Sequence, residues 1–526
     1  PIVISERDCW QDVRYASGIM LARVQSYLLQ GIDALPCEVE VDLDSRGLDK
    51  ETIVGLPDAA VKEALERVRA ALGNAGYAFP AGRTLINLAP ADVRKEGPVY
   101  DLPVAVGLLQ VSGVIQPGLA GPDPRSLVFA GELALDGRLR PIKGALALAS
   151  MAARLGARGV VIPADNAAEA AVVGGIEVFG VRTLDEVVGL LTGMLEAEPA
   201  PPADVDAMLA AAEAEVDFAE VRGQESVKRA LLISAAGGHN CVMIGPAGSG
   251  KTMMAKAFAG ILPRMSASEA IEVTRIYSAA GMLAPGEGLV TARPVRSPHH
   301  TASPPAIVGG GMVPRPGEIS LAHRGVLFLD EMPEFPRTVL ETLRQPMEDQ
   351  TVTISRAHGS TSFPADFTLI AAMNPTPRGD IAPGEVGKRE MERYMGKLSG
   401  PLLDRIDIHI EAPAVPYDQL RNGKEGTGSA EMRQRAHAAR ARQAERQGDA
   451  IINARLTGKQ LDSYAPMEPA AEALLGRAVT ELGLCARAFT KVRRIARTIA
   501  DLDQRDTLGV GDIAEAVQYR LLDRKT

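Results

Sequence analysis

The chain has 526 residues, which is enough for two to four domains, each with its own buried core. Hydrophobic residues make up 46% and charged residues 23%, a balance typical of globular proteins. The formal net charge of −9 excludes nucleic-acid binding through an overall basic field, so any such binding depends on local basic patches.

The cysteines and the hydropathy pattern indicate the compartment. Four cysteines lie far apart and form no CxxC pair: Cys9, Cys37, Cys241 and Cys485. This spacing argues against a cysteine metal site and fits a reducing cytosol, so we expect a cytoplasmic protein. No apolar run is long enough to span a bilayer, and no signal-peptide pattern opens the chain, so we expect no membrane partner.

The first 195 residues divide into a short segment and a mixed domain. Residue 1 is Pro and Met20 begins the first clean alternating segment, so residues 1–19 are predicted to be a leader or a non-native segment. Residues 20–195 mix strands with helices, which predicts an α+β domain. Strands are predicted at Val39–Leu43, Leu85–Leu88, Leu127–Leu133, Val160–Ile162 and Ile176–Val181, and helices at Asp58–Leu72, Leu102–Leu109 and Gly144–Leu155.

A different pattern follows residues 196–220, whose Ala, Pro and acidic residues predict a linker. Strands are predicted at Cys241–Ile244, Val326–Leu329 and Thr368–Ala372, with a helix from Lys251. This alternation predicts a parallel sheet covered by helices over residues 221–415. Residues 416–526 are predicted to form a basic helix, Met432–Arg446, and a helical bundle containing Glu468–Ala500 and Gly511–Arg520.

A phosphate-binding loop lies between the first of these strands and its helix. Eight residues satisfy GxxxxGK[ST] in full: Gly245, Pro246, Ala247, Gly248, Ser249, Gly250, Lys251 and Thr252. The glycines let backbone N–H groups turn toward the phosphates, and the helix N-terminus adds partial positive charge. We expect Lys251 to reach the β and γ phosphates of ATP, and the Thr252 hydroxyl to bind Mg²⁺.

A pair of carboxylates follows the buried strand Val326–Leu329. Asp330 is expected to hold Mg²⁺ and its water shell, and Glu331 to orient and polarise the attacking water. Such a pair is weak evidence alone, but about 80 residues after a full phosphate loop it predicts an ATP-hydrolysing site.

One further residue and one short segment are predicted to complete this site. Asn374 follows the third strand and could hold the water against the γ-phosphate, although it could simply begin an Asn-Pro turn. Val221-Arg-Gly-Gln224 precedes the first helix of the domain and could frame the adenine; the alternative is a plain helix start.

Together these motifs resemble the magnesium-chelatase branch of the AAA+ ATPases and, within it, the ComM/YifB family. The resemblance covers nearly everything from Met20 to the end of the chain. Its specific marks are Val54-Gly-Leu-Pro-Asp58, Asn87-Leu-Ala-Pro-Ala-Asp92, Lys95-Glu-Gly-Pro98, Pro298-His-His-Thr301, Pro316-Gly-Glu-Ile-Ser-Leu-Ala-His-Arg-Gly325, Leu343-Arg-Gln-Pro346 and Pro401-Leu-Leu-Asp-Arg-Ile-Asp407. It implies a homo-hexameric branch-migration helicase of natural transformation, which uses ATP and Mg²⁺ and acts on single-stranded or branched DNA.

The resemblance also implies roles for two arginines. Arg405 matches an arginine finger that reaches a neighbouring subunit's γ-phosphate; the alternative is a salt bridge to Asp404 or Asp407. Arg487 matches a second sensor on a helical lid, but Arg493, Arg494 and Arg497 are alternatives on the same helix.

The sequence departs from the family in the segment after Asn374. Thr376-Pro-Arg378 stands where the family usually has Cys-Pro-Cys, so no cysteine metal role operates there. His299 and His300 are adjacent, so on a strand they would point apart and suit a metal poorly; we expect them instead to hydrogen-bond a loop or to touch a ligand.

The first domain resembles the proteolytic domain of Lon. By alignment, Val99 occupies the position of the catalytic Ser and Leu146 that of the catalytic Lys, while Lys143 is displaced by three residues. Neither aliphatic residue can act as nucleophile or base, so we expect no peptidase activity. The sequence therefore predicts a multi-domain α/β protein with a Lon-protease-like N-terminal domain, an AAA+ parallel-sheet core and a C-terminal helical lid.

Basic residues in two loops are candidates for DNA contact. Alternation near Val352–His358 predicts a β-hairpin that carries Arg356 and His358, either as a pore-lining element or as a solvated hairpin with incidental charge. Arg293 and Arg296 lie in a second candidate loop. Besides a DNA motor, the sequence allows a chelatase-type or MoxR-like protein-remodelling ATPase, or a nucleotide-gated scaffold without motor activity.

Overall fold

A computed structural model describes eleven stretches of the chain: residues 19–116, 121–196, 198–212, 216–311, 314–356, 359–376, 393–394, 396–416, 426–448, 451–520 and 522. They fall into two compact units. The first contains the described residues up to Met208 together with Ala270–Val290, and the second contains Leu209–Glu269 and the described residues from Thr291 onward. The helix Ala267–Ala280 crosses this boundary, so the first unit includes a segment from within the predicted range 221–415.

The first unit is built on a mixed seven-stranded sheet. Its strands are β1 (Ile19–Gln30), β2 (Asp33–Asp44), β3 (Lys50–Val54), β4 (Arg83–Ala89), β5 (Leu127–Phe129), β8 (Gly159–Pro163) and β9 (Glu177–Val181), in the order β3-β4-β2-β1-β5-β8-β9. The pairs β1–β2 and β2–β4 are antiparallel, and the other neighbours are parallel. A small antiparallel pair joins β6 (Glu132–Leu133) to β7 (Leu139–Arg140).

The helices of the first unit bury apolar faces against this sheet. They span Ala59–Lys62, Ala64–Asn74, Asp101–Val111, Ala145–Arg154, Ala167–Ala170 and Leu184–Thr192, and Val205–Ala210 follows at the boundary between the units. The predicted strands and helices are found, but two of them are interrupted. The helix predicted over Asp58–Leu72 breaks at Glu63, and the strand predicted over Leu127–Leu133 breaks at Gly131, whose N–H bonds to the Val99 carbonyl.

The second unit contains the predicted parallel sheet. Its strands are β10 (Cys241–Ile244), β11 (Val295–Arg296), β14 (Val326–Leu329), β17 (Thr368–Met373) and β18 (Ile408–Glu411), in the order β11-β14-β17-β10-β18. All four neighbouring pairs are parallel. Two antiparallel pairs lie outside this sheet: β12 (Gly309–Gly310) with β13 (Arg315–Pro316), and β15 (Thr351–Arg356) with β16 (Gly359–Pro364).

Helices cover this sheet and form the C-terminal part of the chain. They span Glu225–Gly237, Lys251–Phe258, Pro304–Val308, Glu318–Leu321, Arg337–Thr342, Arg344–Asp349, Gly400–Leu403, Ser429–Gln447, Gly458–Tyr464, Pro469–Leu482, Ala486–Leu502 and Val510–Gln518. The helical run predicted over Glu468–Ala500 splits because Gly483 takes a left-handed conformation and ends the first helix. Sheet residues such as Phe328 and Ile370 share one hydrophobic core with Val492 and Ile513 of the C-terminal helices. The sheet and these helices are therefore one packed body.

Candidate functional site

The phosphate loop wraps around the ammonium group of Lys251. Lys251 Nζ donates to the carbonyl oxygens of Gly245 at 2.7 Å and Pro246 at 2.8 Å, and lies 3.2 Å from Asn374 Oδ1. Gly248 and Gly250 have φ of 77° and 85°, a region that residues with a Cβ rarely adopt. The structure therefore brings Asn374, which directly follows β17, next to the loop that follows β10.

The electrostatics of Lys251 favour an anion. Its side chain is buried, and burial lowers the pKa of Lys251, while the nearby carboxylates of Asp330 and Glu331 act in the opposite direction. Its partners in this loop are neutral oxygens, which leave the positive charge without direct compensation. A phosphate beside Lys251 would stabilise the charged amine by a charge-assisted hydrogen bond.

The oxygens of Thr252 and Asp330 make a suitable pair of ligands for a hard divalent cation. Thr252 Oγ1 donates to Asp330 Oδ2 at 2.8 Å, although the two residues are 78 positions apart. Mg²⁺ prefers hydroxyl, carboxylate and phosphate oxygens and retains several waters. The donor set thus fits Mg²⁺ bound together with a nucleotide.

Glu331 is held in a strained conformation beside this pair. Its φ is 51° and its ψ is 45°, in the left-handed region, and its N–H donates to Asp330 Oδ1 at 3.0 Å. Such a conformation costs on the order of 1–3 kcal/mol for a residue with a side chain and is concentrated at functional sites. The carboxylate of Glu331 is exposed, so water has access to it.

The segment Val221–Gln224, selected from the sequence to frame the adenine, has its two ends in different surroundings. Val221 is 5% exposed and packs in the hydrophobic core of the unit. Gln224 has a φ of 58° and donates from Nε2 to the carbonyls of Ser249 at 3.2 Å and Pro413 at 2.6 Å. Gln224 therefore ties the start of its helix to the phosphate loop. The left-handed backbone at Gln224 leaves no recognisable signal in the sequence.

Arg405 lies at the amino-terminal ends of the sheet strands, whereas the phosphate loop lies at their carboxyl-terminal ends. The pairs Cys241↔Ile408 and Ile244↔Glu411 show that β18 runs parallel to β10, and Arg405 precedes β18. With a rise of about 3.3 Å per residue, the two ends of these four-residue strands are about 13 Å apart. Arg405 pairs with Glu348 at 2.6 Å rather than with the carboxylates of Asp404 or Asp407.

A buried network that sequence reasoning missed holds the Arg405 segment. Asn240 donates to the Arg405 carbonyl at 3.1 Å, accepts from Leu369 N–H at 2.8 Å, and its own N–H donates to Asp407. Asp407 pairs with Lys491 at 2.9 Å. Burial alone would raise the pKa of Asp407, but Lys491 and His239 hold that pKa well below its usual range.

Arg487 lies near the Arg405 segment. Its side chain is 64% exposed, and its guanidinium pairs with Asp404 at 3.1 Å. The three alternatives on the same helix have internal partners: Arg493 with Asp462, Arg494 with the Leu456 carbonyl, and Arg497 with Asp501. Of these four arginines, Arg487 is thus the one best placed to meet an external ligand.

The predicted hairpin is confirmed by the pairing of β15 with β16. Its register runs from Thr351↔Pro364 to Arg356↔Gly359. His358 and the side chain of Arg356 lie outside the described residues, so their suggested DNA contacts stay predictions.

Arg293 and Arg296 have internal partners in the second candidate loop. All three guanidinium nitrogens of Arg293 donate within the chain, including a bond to Glu269 at 2.9 Å, and Arg296 pairs with Glu318 at 2.6 Å. Burial lowers the pKa of Arg293, which Glu269 opposes. These bonds favour a structural role for both arginines over direct DNA contact.

The expectation that the two histidines point apart on a strand is wrong. β11 ends at Arg296, and His299 and His300 lie in the turn region beyond it. Because the backbone turns there, the two rings pack with their centroids 4.1 Å apart, and His299 Nδ1 lies 2.9 Å from Thr301 Oγ1. Within the described residues, no group of three or more His, Cys, Asp or Glu is placed to hold a metal ion.

Three family models match the chain. The model described as "Magnesium chelatase, subunit ChlI" matches residues 217–420, "Subunit ChlI of Mg-chelatase" matches residues 39–166, and "Magnesium chelatase, subunit ChlI C-terminal" matches residues 426–520. The "Competence protein ComM" of Haemophilus influenzae is 42% identical over 509 residues, which cover 96% of this chain and 98% of that protein. The chain belongs to the ComM/YifB family.

Other relatives agree with this assignment. The "Uncharacterized protein YifB" of Escherichia coli is 42% identical over 511 residues, with 96% of this chain and 98% of that protein covered. The "Magnesium-chelatase 67 kDa subunit" of Chlorobaculum tepidum is 28% identical over 214 residues, or 40% of this chain and 28% of that protein. The predicted family resemblance is confirmed, and the second unit is a magnesium-chelatase-like AAA+ domain with a parallel sheet.

The first unit places the residues expected at the two Lon positions in apolar surroundings. Val99 is partly buried against the hydrophobic core, and Leu146 is fully buried in the helix Ala145–Arg154. Neither side chain has a nucleophilic or basic atom. None of the helices in the described part of the chain is both long and apolar enough to cross a membrane.

Proposed function

We propose that this chain is a hexameric, ATP-dependent DNA motor that drives branch migration during natural transformation or recombination in the cytoplasm. The observation that carries the proposal is a pair of contacts at the phosphate loop. Lys251 lies within hydrogen-bond distance of Asn374, and Thr252 within hydrogen-bond distance of Asp330. The name of the Haemophilus influenzae relative, "Competence protein ComM", supports the role in transformation.

The residues of the site suit ATP hydrolysis. Lys251 binds the β and γ phosphates, and Thr252 and Asp330 hold Mg²⁺, which offsets charge on the phosphates when bound. Glu331 orients and polarises the attacking water through its exposed carboxylate. Asn374 lies 3.2 Å from Lys251 and is placed to position the same water against the γ-phosphate.

The position of Arg405 supports an oligomer. It lies at the opposite end of the strands from its own phosphate loop, so it is suited to a neighbour's nucleotide. Arg487 lies at the same end, because it pairs with Asp404. An arginine supplied from another subunit stabilises the charge that develops in phosphoryl transfer. We infer that both arginines act between subunits of a ring, which makes hydrolysis depend on assembly.

For the first unit we propose a Lon-like fold without peptidase activity. Val99 and Leu146 offer neither nucleophile nor base, and the Lys143 carbonyl accepts a hydrogen bond from Tyr27 Oη. The hairpin β15–β16 is proposed to line the ring's pore and to contact DNA phosphates through Arg356.

The test is ATP turnover by the full chain with and without DNA. We expect single-stranded or branched DNA to stimulate turnover, and Glu331→Gln to bind ATP while losing turnover by at least about a hundredfold. Arg435→Ala, an exposed position on the helix Ser429–Gln447, is the matched control and should behave like the unaltered chain. Robust turnover that no DNA stimulates would reject the DNA motor and favour the protein-remodelling alternative.

A further inference from the structure

The second unit contains a cavity of about 360 Å³ that is distinct from the phosphate loop. It lies beside the C-terminal end of the helix Lys251–Phe258 and against β11, and Phe328 of β14 contributes to its wall. Four cationic side chains line it: Lys256, Arg264, Arg293 and Arg433. No acidic side chain of the described residues is among its lining.

The positive charges around this cavity are only partly compensated. Arg293 pairs with Glu269 and the charge of Arg433 lowers the pKa of Asp217, whereas Arg264 donates to the neutral carbonyl of Ala210 at 2.7 Å. Arg433 is 3.5 Å from the Gly260 carbonyl, and Lys256 makes no ion pair with a described residue. The cavity therefore concentrates positive charge in a chain whose formal net charge is −9.

The cationic lining of the cavity suits an anionic ligand such as a phosphate group. Lys and Arg are the side chains that bind phosphates by charge and by forked hydrogen bonds. Cations from three separate segments, namely the phosphate-loop helix, the loop around Arg264 and the helix Ser429–Gln447, line the same cavity. Several cations on one surface can contact more than one phosphate, as the backbone of a nucleic acid offers.

We propose that this basic cavity binds the sugar-phosphate backbone of DNA through Lys256, Arg264 and Arg433. The proposal rests on the proposed DNA motor and names a contact surface for it, in addition to the hairpin. Arg293 shapes the wall, because its bonds to the carbonyls of Pro263 and Arg324 fix the cavity-lining chain. Lys256 lies five residues after Lys251 on one helix, about 7.5 Å along its axis, so bound DNA would contact the helix that holds the ATP phosphates.

The test compares two triple variants of the full chain that remove the same charge. Lys256→Ala/Arg264→Ala/Arg433→Ala removes three of the four cavity cations and leaves Arg293, whereas Arg435→Ala/Lys459→Ala/Arg477→Ala removes three exposed cations elsewhere in the same unit. Both are made with Glu331→Gln and assembled with ATP and Mg²⁺. Binding of a labelled single-stranded oligonucleotide is followed by fluorescence anisotropy from about 50 to 200 mM salt.

We expect the cavity variant to bind at least about tenfold more weakly at low salt. The slope of log K against log salt should fall in magnitude by about 2, since each phosphate contact on a single strand contributes about 0.7. The control variant should keep both values. Thermal unfolding verifies folding, and Lys256→Ala alone, an exposed helix position, should lower the slope by about 0.7.

Equal affinities and slopes for the cavity variant and the unaltered chain would overturn this inference while leaving the proposed function intact. Absence of DNA binding by the unaltered, ATP-assembled chain would instead overturn the proposed function and this inference with it.

Discussion

Two buried histidines of the second unit have lowered pKa values. His239 and His409 are both fully buried, and burial lowers the pKa of each below the ordinary value of 6.5. For His409 the neighbouring cations Arg520 and Lys491 lower the pKa further. In mildly acidic solution these two imidazole rings therefore bind protons in the unfolded chain but stay neutral in the folded chain.

This burial predicts a loss of stability on acidification. Because the folded-state pKa values lie below the unfolded value, the stabilisation is complete above about pH 6.5 and declines as the pH falls through that value. Two such groups give a slope of up to about 2.7 kcal/mol per pH unit. His409→Leu should remove about half of this slope in urea unfolding followed by circular dichroism. A slope equal to that of the unaltered chain would contradict this account of His409.

At the residue scale, the sequence predicted those site residues that a motif defines. Lys251, Thr252 and Asp330 meet because their motifs follow β10 and β14, two strands of one parallel sheet that only β17 separates. The hydrogen bonds of Gln224 and Asn240 could not be predicted, because they reach residues 189 and 165 positions away. A single sequence carries no local signal for contacts across such distances.

At the element scale, the pair Lys491–Asp407 joins the helix Ala486–Leu502 to the segment before β18. Each side chain is only 9% exposed, and Lys491 also donates to the Ile406 carbonyl at 3.1 Å. Arg405 immediately precedes Ile406, so the same bonds fix the proposed finger relative to the helix that carries Arg487. Movement of this helix should therefore be transmitted to the Arg405 segment.

Removing one partner of this buried pair should be costly. Lys491→Met leaves the Asp407 carboxylate buried without its main cation, and we expect a loss of about 3–5 kcal/mol in the free energy of unfolding. Lys459→Met, at an exposed position, should change it by less than about 0.5 kcal/mol. Adding Asp407→Asn to Lys491→Met should restore part of the loss, since the uncompensated charge is gone. Urea unfolding checks all three; similar losses for Lys491→Met and Lys459→Met would refute the argument.

The sequence predicted elements better than their ends. Cys241–Ile244 and Val326–Leu329 have the predicted bounds, because continuous apolar runs flanked by Gly or charged residues define a buried strand. The break at Gly483 and the short strand β11 were not predicted. A two-residue strand has too little periodicity to detect, and its pairing with β14 depends on distant backbone.

At the scale of the whole molecule, the proposed ring divides each hydrolysis site between two chains. One chain supplies Lys251 and Glu331, and the next supplies Arg405. Mixing Arg405→Ala chains with Lys251→Ala chains should therefore restore part of the ATP turnover that each lacks alone. Titrating one variant into the other at constant total protein gives the measurement, and gel filtration verifies mixed rings. Mixed rings without recovered turnover would exclude a finger that acts between subunits.

The division into two units follows only partly from sequence. Composition predicted a linker at residues 196–220, yet Ala270–Val290 joins the first unit although it lies beyond the phosphate loop. The assignment of this segment to the first unit depends on tertiary contacts, for example the ion pair Arg275–Asp33. Amino-acid composition carries no signal for such contacts.

Branch migration by the purified full chain tests the central claim most directly. A labelled three- or four-stranded DNA junction is incubated with the protein, ATP and Mg²⁺, and the resolved strands are separated by native gel electrophoresis. We predict that the unaltered chain moves the junction in an ATP-dependent manner and that Glu331→Gln binds the junction without moving it. A junction that stays in place with the unaltered chain, under conditions where that chain binds it and hydrolyses ATP, would contradict the account.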